Sequence, residues 1–195
     1  MKITMDIISE SEMTDRVSRV ENGVTVWHHE LAFPLAPVSS QPPEGETETQ
    51  VQAAMRMLTP KTDGLGPDGD YPECRGDFAM DDVICDTRSF DLLLYYPLGN
   101  PVCLRVEDIA PGAFTPKMLC EIVRDAYIEI YRLEENGADI PTSQDMPGSG
   151  ILLNRPSTDG MFGIFGHGIS DLVIEVITVV RESDVNVIVD LGIGS

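Results

Sequence analysis

Residues 115–137 carry start, stop and face signals for one amphipathic helix, and this stretch constrains the fold more than any other. Thr115 is a side-chain cap, and Pro116 suits the first helical turn, where a missing N–H costs nothing. Leu119, Ile122, Val123, Ala126, Tyr127, Ile130 and Leu133 recur at three- and four-residue spacing and form one apolar stripe. Glu121, Arg124, Asp125, Glu129 and Arg132 fall largely outside it. Asn136-Gly137 suits a left-handed stop. Burying the stripe supplies on the order of 10 kcal/mol before chain entropy is charged. Helical charge pairs add only a few tenths of a kcal/mol each. The helix, about 116–135, therefore needs an apolar surface to lie on.

Strand-like segments supply that surface. Val24–Phe33 follows Asn22-Gly23, a turn pair, and reads as a strand. Phe90–Tyr96 and Val102–Val106 flank the rigid connection Pro97–Pro101 and read as a hairpin. The run Leu92-Leu93-Leu94 does not alternate, which predicts cover on both faces. Leu172–Val180 and Val185–Leu191 form a second hairpin around Arg181–Asp184. In its second strand Val185, Val187, Val189 and Leu191 alternate with Asn186, Ile188 and Asp190, so one face is partly wet. Ile151–Leu153 and Met161–Phe165 are candidate short strands. A short helix is expected from Thr47 or Thr49 through Leu58. The expected class is α+β: one domain over residues 1–195, a mostly antiparallel sheet packed against one long helix. Long loops rich in Gly, Pro and Asp are expected near 34–48, 59–82 and 138–150.

The chain has 195 residues, with 33 Asp and Glu against 13 Lys and Arg, a net charge of -20. Such a surface repels phosphate backbones and anionic bilayers, which argues against nucleic-acid and membrane partners. The acidic residues are scattered without phosphate-like spacing, so mimicry of DNA is disfavoured. Met1–Asp6 reaches an acidic residue before any long apolar run, and the longest apolar stretch contains Glu175. A soluble cytoplasmic protein is expected. Cys74, Cys85, Cys103 and Cys120 include no CxxC pair and are expected as free thiols, Cys103 and Cys120 in packing roles.

Two stretches hold the residue types of a site. In Gly160–Asp171, glycines at 160, 163, 166 and 168 allow close approach of backbone to a ligand or a strand. The order is not that of a dinucleotide loop, and no Gly-Lys-Ser or Gly-Lys-Thr occurs, so no cofactor is expected. His167, Ser170 and Asp171 are the types of a hydrolytic triad, but neighbours in sequence rarely meet in triad geometry. Glu175 interrupts an apolar strand. It is either a candidate acid–base group or a residue on a wet face, with Arg105 as a possible partner. In the acidic loop Asp63, Asp68 and Asp70 are candidate ligands for Ca²⁺ or Mg²⁺, though the EF-hand order is missing. His28-His29 beside Trp27 suggests a metal, yet adjacent strand residues point to opposite faces.

No chemistry-bearing motif outweighs its structural explanation. The expected function is that of a non-enzymatic acidic protein working through protein–protein contact or self-association. Phe78, Met80, Met146, Met161 and Phe162 are candidate anchors of such contacts. The alternative is a small hydrolase, transferase or ligand-binding protein with its site around His167.

Overall fold

The computed structural model describes residues 1–35, 78–140, 142, 157–183 and 186–195. Among these residues the fold is α+β: a mixed six-stranded sheet with one helix on each face. Its elements are β1 (Lys2–Ile7), α1 (Glu10–Asn22), β2 (Val24–Pro34), β3 (Phe90–Leu94), β4 (Val102–Glu107), α2 (Pro116–Gly137), β5 (Val173–Ser183) and β6 (Asn186–Gly194). A 3₁₀ turn, Ile169–Asp171, precedes β5. Strand order is β1-β4-β3-β6-β5-β2.

Helix α2 forms as its sequence dictates. The Thr115 hydroxyl accepts the Met118 N–H at 3.2 Å, and Pro116 opens the first turn. Leu119, Ile122, Val123, Ala126, Tyr127 and Ile130 are buried, joined by Cys120 and Tyr131. They meet Phe90, Leu92 and Leu94 of β3, Val102, Leu104 and Val106 of β4, and Val187, Val189 and Leu191 of β6. The helix does not stop in a left-handed turn at Asn136-Gly137. Gly137 is still helical, and the extended Ala138 closes the end by donating its N–H to Glu134 O.

The expectation of one long helix as the cover of the sheet is corrected by α1, which covers the other face. Ser9 and Glu12 form a reciprocal capping box: the Ser9 hydroxyl accepts the Glu12 N–H and the Glu12 carboxylate accepts the Ser9 N–H. Met13, Val17 and Val20 lie against Ile8, Leu93, Cys103 and Ile188 on the sheet face opposite α2. This second cover explains why all five residues of β3 are buried. It also moves the turn expected at Asn22-Gly23: Asn22 ends α1 and Gly23 caps it in extended conformation.

The sheet is not wholly antiparallel, because β3 and β6 run parallel, with Asp91 opposite Ile188. With that pair fixed, β1 and β2 are parallel to each other at the two edges, and so are β4 and β5 within. Thus α1 and α2 are both crossover helices that travel the same way across the sheet from oppositely directed strands. Crossovers of one hand then require opposite faces, which is where the two helices lie.

The β5–β6 hairpin forms as expected, with longer arms, and bulges between Ile174 and Val176 and between Arg181 and Ser183. Met161–Phe165 is not a strand. It is a turning segment with one antiparallel bridge, Ile164 to Leu98. The helix expected before Leu58 and the strand Ile151–Leu153 lie outside the described residues. Cys85, Cys103 and Cys120 are free thiols, the last two buried. Among the described residues, no helix is long and apolar enough to cross a membrane.

Candidate functional site

The glycine-rich segment is organised from below by α2. Glu134, in the last turns of that helix, is wholly buried. Its carboxylate accepts the Thr158 hydroxyl, the Phe162 N–H at 2.8 Å and the Gly163 N–H at 3.0 Å. A Cβ on Gly160 would come within 2.7 Å of that carboxylate, so the loop needs glycine there. Gly166 turns the chain at φ +73°, a region that favours glycine, and brings His167 over the end of the sheet. The Tyr131 hydroxyl then holds the His167 carbonyl at 2.9 Å, and the Tyr127 hydroxyl holds the Tyr96 carbonyl at 2.5 Å.

His167 is half-buried. Its Nε2 shares a hydrogen bond with the Tyr96 hydroxyl at 2.8 Å, and that hydroxyl lies 3.1 Å from Ser195 Oγ. The result is a short hydrogen-bonded chain from serine through tyrosine to histidine. The expected neighbours of His167 do not complete a triad around it. Asp171 turns to the Gly168 N–H at 2.8 Å, and Ser170 Oγ is 3.5 Å from the other carboxylate oxygen. Glu175 is exposed beside the β5 bulge, over Gly194. Arg105 does not reach it, because it donates to Asp91 at 2.7 Å. Tyr96 and Ser195 were not legible as members of this cluster; the only local sign was an aromatic pair at the end of an apolar strand.

His28 is exposed and shares a 2.9 Å hydrogen bond with Thr178. His29 is half-buried on the other face of β2, its ring 4.6 Å from those of Trp27 and Phe78. Asp63, Asp68, Asp70 and Met146 lie outside the described residues. Among the described residues, no group of three or more His, Cys, Asp or Glu is placed to hold a metal ion.

A second polar centre lies under α1. Asp91 receives Arg16 from the helix and Arg105 from β4, each at 2.7 Å. A cleft of about 430 Å³ opens beside this triad, with Asp6 and Glu12 at its rim. Burial and the Asp91 charge push the neighbouring Cys103 thiol up to about 11, which makes it unreactive at neutral pH. Asp91 neutralises only one of the two guanidinium groups, but Asp6 and Glu12 also line the cleft and Glu107 lies 3.9 Å from Arg105, so its carboxylates outnumber its arginines and it offers no net positive charge to a ligand.

The two edges of the sheet differ. β2 has register shifts between Thr25 and Trp27 and between Glu30 and Phe33, and it ends on Pro34. Bulges and proline are how edge strands avoid pairing. β1 keeps an unbroken register with β4 over six residues. Ile8 donates its N–H to Pro101 O in continuation of that register. The even-numbered residues of β1 therefore point their backbone groups at β4, and Ile3, Met5 and Ile7 point theirs outward. Ile3 and Ile7 are also 45% exposed; on the other edge the exposed apolar residue is Val24, 69% exposed at the first position of β2. Of the aromatic and Met anchors expected from sequence, Phe162 is instead core at 1% exposure, Met80 packs against the core, and Met161 is exposed.

No protein-family model, curated protein or solved structure matches this chain.

Proposed function

We propose that the protein is non-enzymatic and works by protein–protein contact, made by adding a strand at the β1 edge. The observation that carries this reading is the outward hydrogen-bonding edge at Ile3, Met5 and Ile7, flanked by two exposed isoleucine side chains. Strand addition uses this combination: backbone groups give affinity, and alternate side chains give specificity. A soluble, cytoplasmic single-domain protein that avoids nucleic acid and membranes fits the charge of -20 and the three free thiols among the described residues. A photo-crosslinking amino acid in place of Ile3, expressed in the cells that make the protein, should yield a protein adduct. Absence of any adduct from position 3, while a crosslinker in an internal strand gives its intrachain product, overturns the reading.

One observation favours a second reading. The Ser195–Tyr96–His167 hydrogen-bonded chain can pass a proton, which suits a small hydrolase, transferase or ligand-binding site at the glycine-rich loop. His167→Ala should then abolish turnover of a simple ester series and leave the melting temperature nearly unchanged. A fall in melting temperature, with no turnover in the parent protein, assigns His167 to the fold.

A further inference from the structure

The geometry points to a second copy of this chain as the occupant of the β1 edge, paired antiparallel about Thr4. This inference rests on β1 being the contact surface and adds who binds there and in what register. In an antiparallel pair, residues whose backbone groups face the seam must meet one another. The outward residues of β1 are Ile3, Met5 and Ile7, so a self-paired seam that joins them is centred on a residue from Ile3 to Ile7.

Charge selects among these five registers. Lys2 and Asp6 stand four residues apart on the face away from α2, both exposed. Centred on Thr4, Lys2 of each copy lies directly opposite the second copy's Asp6, twice in one seam. Ile3 then lies opposite the second copy's Met5, on the α2 face. Centred on Ile3, Lys2 faces threonine; centred on Met5, Asp6 faces threonine; centred on Asp6, the two Asp6 carboxylates face each other; centred on Ile7, Asp6 faces Ile8. A lone lysine blunts an edge strand. A lysine and an aspartate symmetric about the centre make the edge complementary to itself, as a two-fold interface requires.

Each copy carries -20, so the copies repel at long range. At physiological ionic strength that repulsion is largely screened beyond about 8 Å. The seam is local and short, so the expected dimer is concentration-dependent.

The test is sedimentation equilibrium of the full chain at physiological salt. Asp6→Lys lowers the net negative charge, so long-range repulsion alone would strengthen association. The Thr4-centred seam instead sets Lys2 against a second lysine in both pairs, and the dimer should weaken roughly tenfold. The double variant Lys2→Asp/Asp6→Lys restores both pairs at the original net charge and should recover the parental constant. Met5→Pro removes an outward N–H without touching the ladder to β4. It should abolish the dimer, with a modest fall in melting temperature because the Met5 side chain also packs against the core. If Met5→Pro fails to fold, the charge swap still decides. A parent protein that stays monomeric at the highest attainable concentration overturns self-pairing, as does a swap that fails to rescue. A monomer whose position-3 crosslinker captures a different protein overturns self-pairing and leaves the contact reading standing. A monomer with no adduct, or with an intrachain adduct only, overturns both.

Discussion

Glu134 Oε2 accepts the Phe162 N–H at 2.8 Å, tying the end of α2 to a loop 28 residues later. The other oxygen takes the Thr158 hydroxyl and the Gly163 N–H. The carboxylate is therefore the acceptor for three donors in a buried site. Glu134→Gln puts an NH₂ against at least one of them and should cost about 1–3 kcal/mol. Glu134→Ala leaves all three without their acceptor and should cost more. Urea unfolding of the two variants checks the order. Equal stability of all three proteins would remove Glu134 from its organising role.

Much of this fold is legible locally. Thr115, Pro116 and the apolar spacing announce α2, and the unbroken Leu92–Leu94 run announces a strand covered twice. The cover itself is harder to see. The apolar stripe of α1 is only Met13, Val17 and Val20, amid charged residues, and so reads as polar chain. Its Ser9-x-x-Glu12 box was the available signal. The parallel pairing of β3 with β6 has no local signature, because nothing in either strand names a partner nearly a hundred residues away. Glu134 lies one turn after Ile130 on the buried face of α2, beside Leu133, and a carboxylate in an apolar row marks a buried acceptor. The glycines at 160–168 suggest close approach of backbone to a ligand or a strand; at Gly160 the approach is to Glu134, and around Gly166 the described residues leave open space.

Asp91 should matter more than either of its arginines. Its side chain is 11% exposed, against 29% for Arg16 and 38% for Arg105. Asp91→Ala leaves two guanidinium groups facing each other under α1 and should cost about 2 kcal/mol. Arg105→Ala removes the more solvated partner and should cost less than about 1 kcal/mol. Denaturant midpoints for the single variants, with an Arg16/Asp91 double-mutant cycle, measure the coupling. An Arg105 variant that loses as much as the Asp91 variant would contradict this ranking.

The α1 cap is testable apart from the core. The Ser9 hydroxyl accepts from Glu12 N and donates to the Glu12 carboxylate. Hydrogen bonds from Ser9 also hold the Glu12 carboxyl below its usual range. Ser9→Ala should lower stability by about 1 kcal/mol, whereas Ser9→Asp should retain most of it. Amide exchange of the first turn of α1 should rise in the alanine variant and stay near parental in the aspartate variant.

Tyr95 and Asp190 make stability fall at alkaline pH and leave a cost at neutral pH. Burial first, then the nearby Asp190 charge, pushes the Tyr95 phenol from 10.0 up to about 12. The unfolded chain therefore loses this proton before the folded one. Stability from Tyr95 is intact below pH 10 and declines as pH rises through about 12. The advantage of the parent protein over Tyr95→Phe should shrink across that window. Absorbance titration should find one late-titrating phenol fewer in the variant. Burial raises the Asp190 carboxyl above 3.8, with Tyr95 and the Leu191 N–H only partly opposing it. Its Oδ1 is buried and has no hydrogen-bond partner among the described residues. The neutral carboxyl is thus favoured in the fold, and the stability it brings is present below pH 3.8 and lost as pH rises through the raised value. Asp190→Asn should gain on the parent between pH 3 and 7, read from urea midpoints at each pH. A constant difference across that range would mean that the Asp190 charge is as well solvated in the fold as in the unfolded chain.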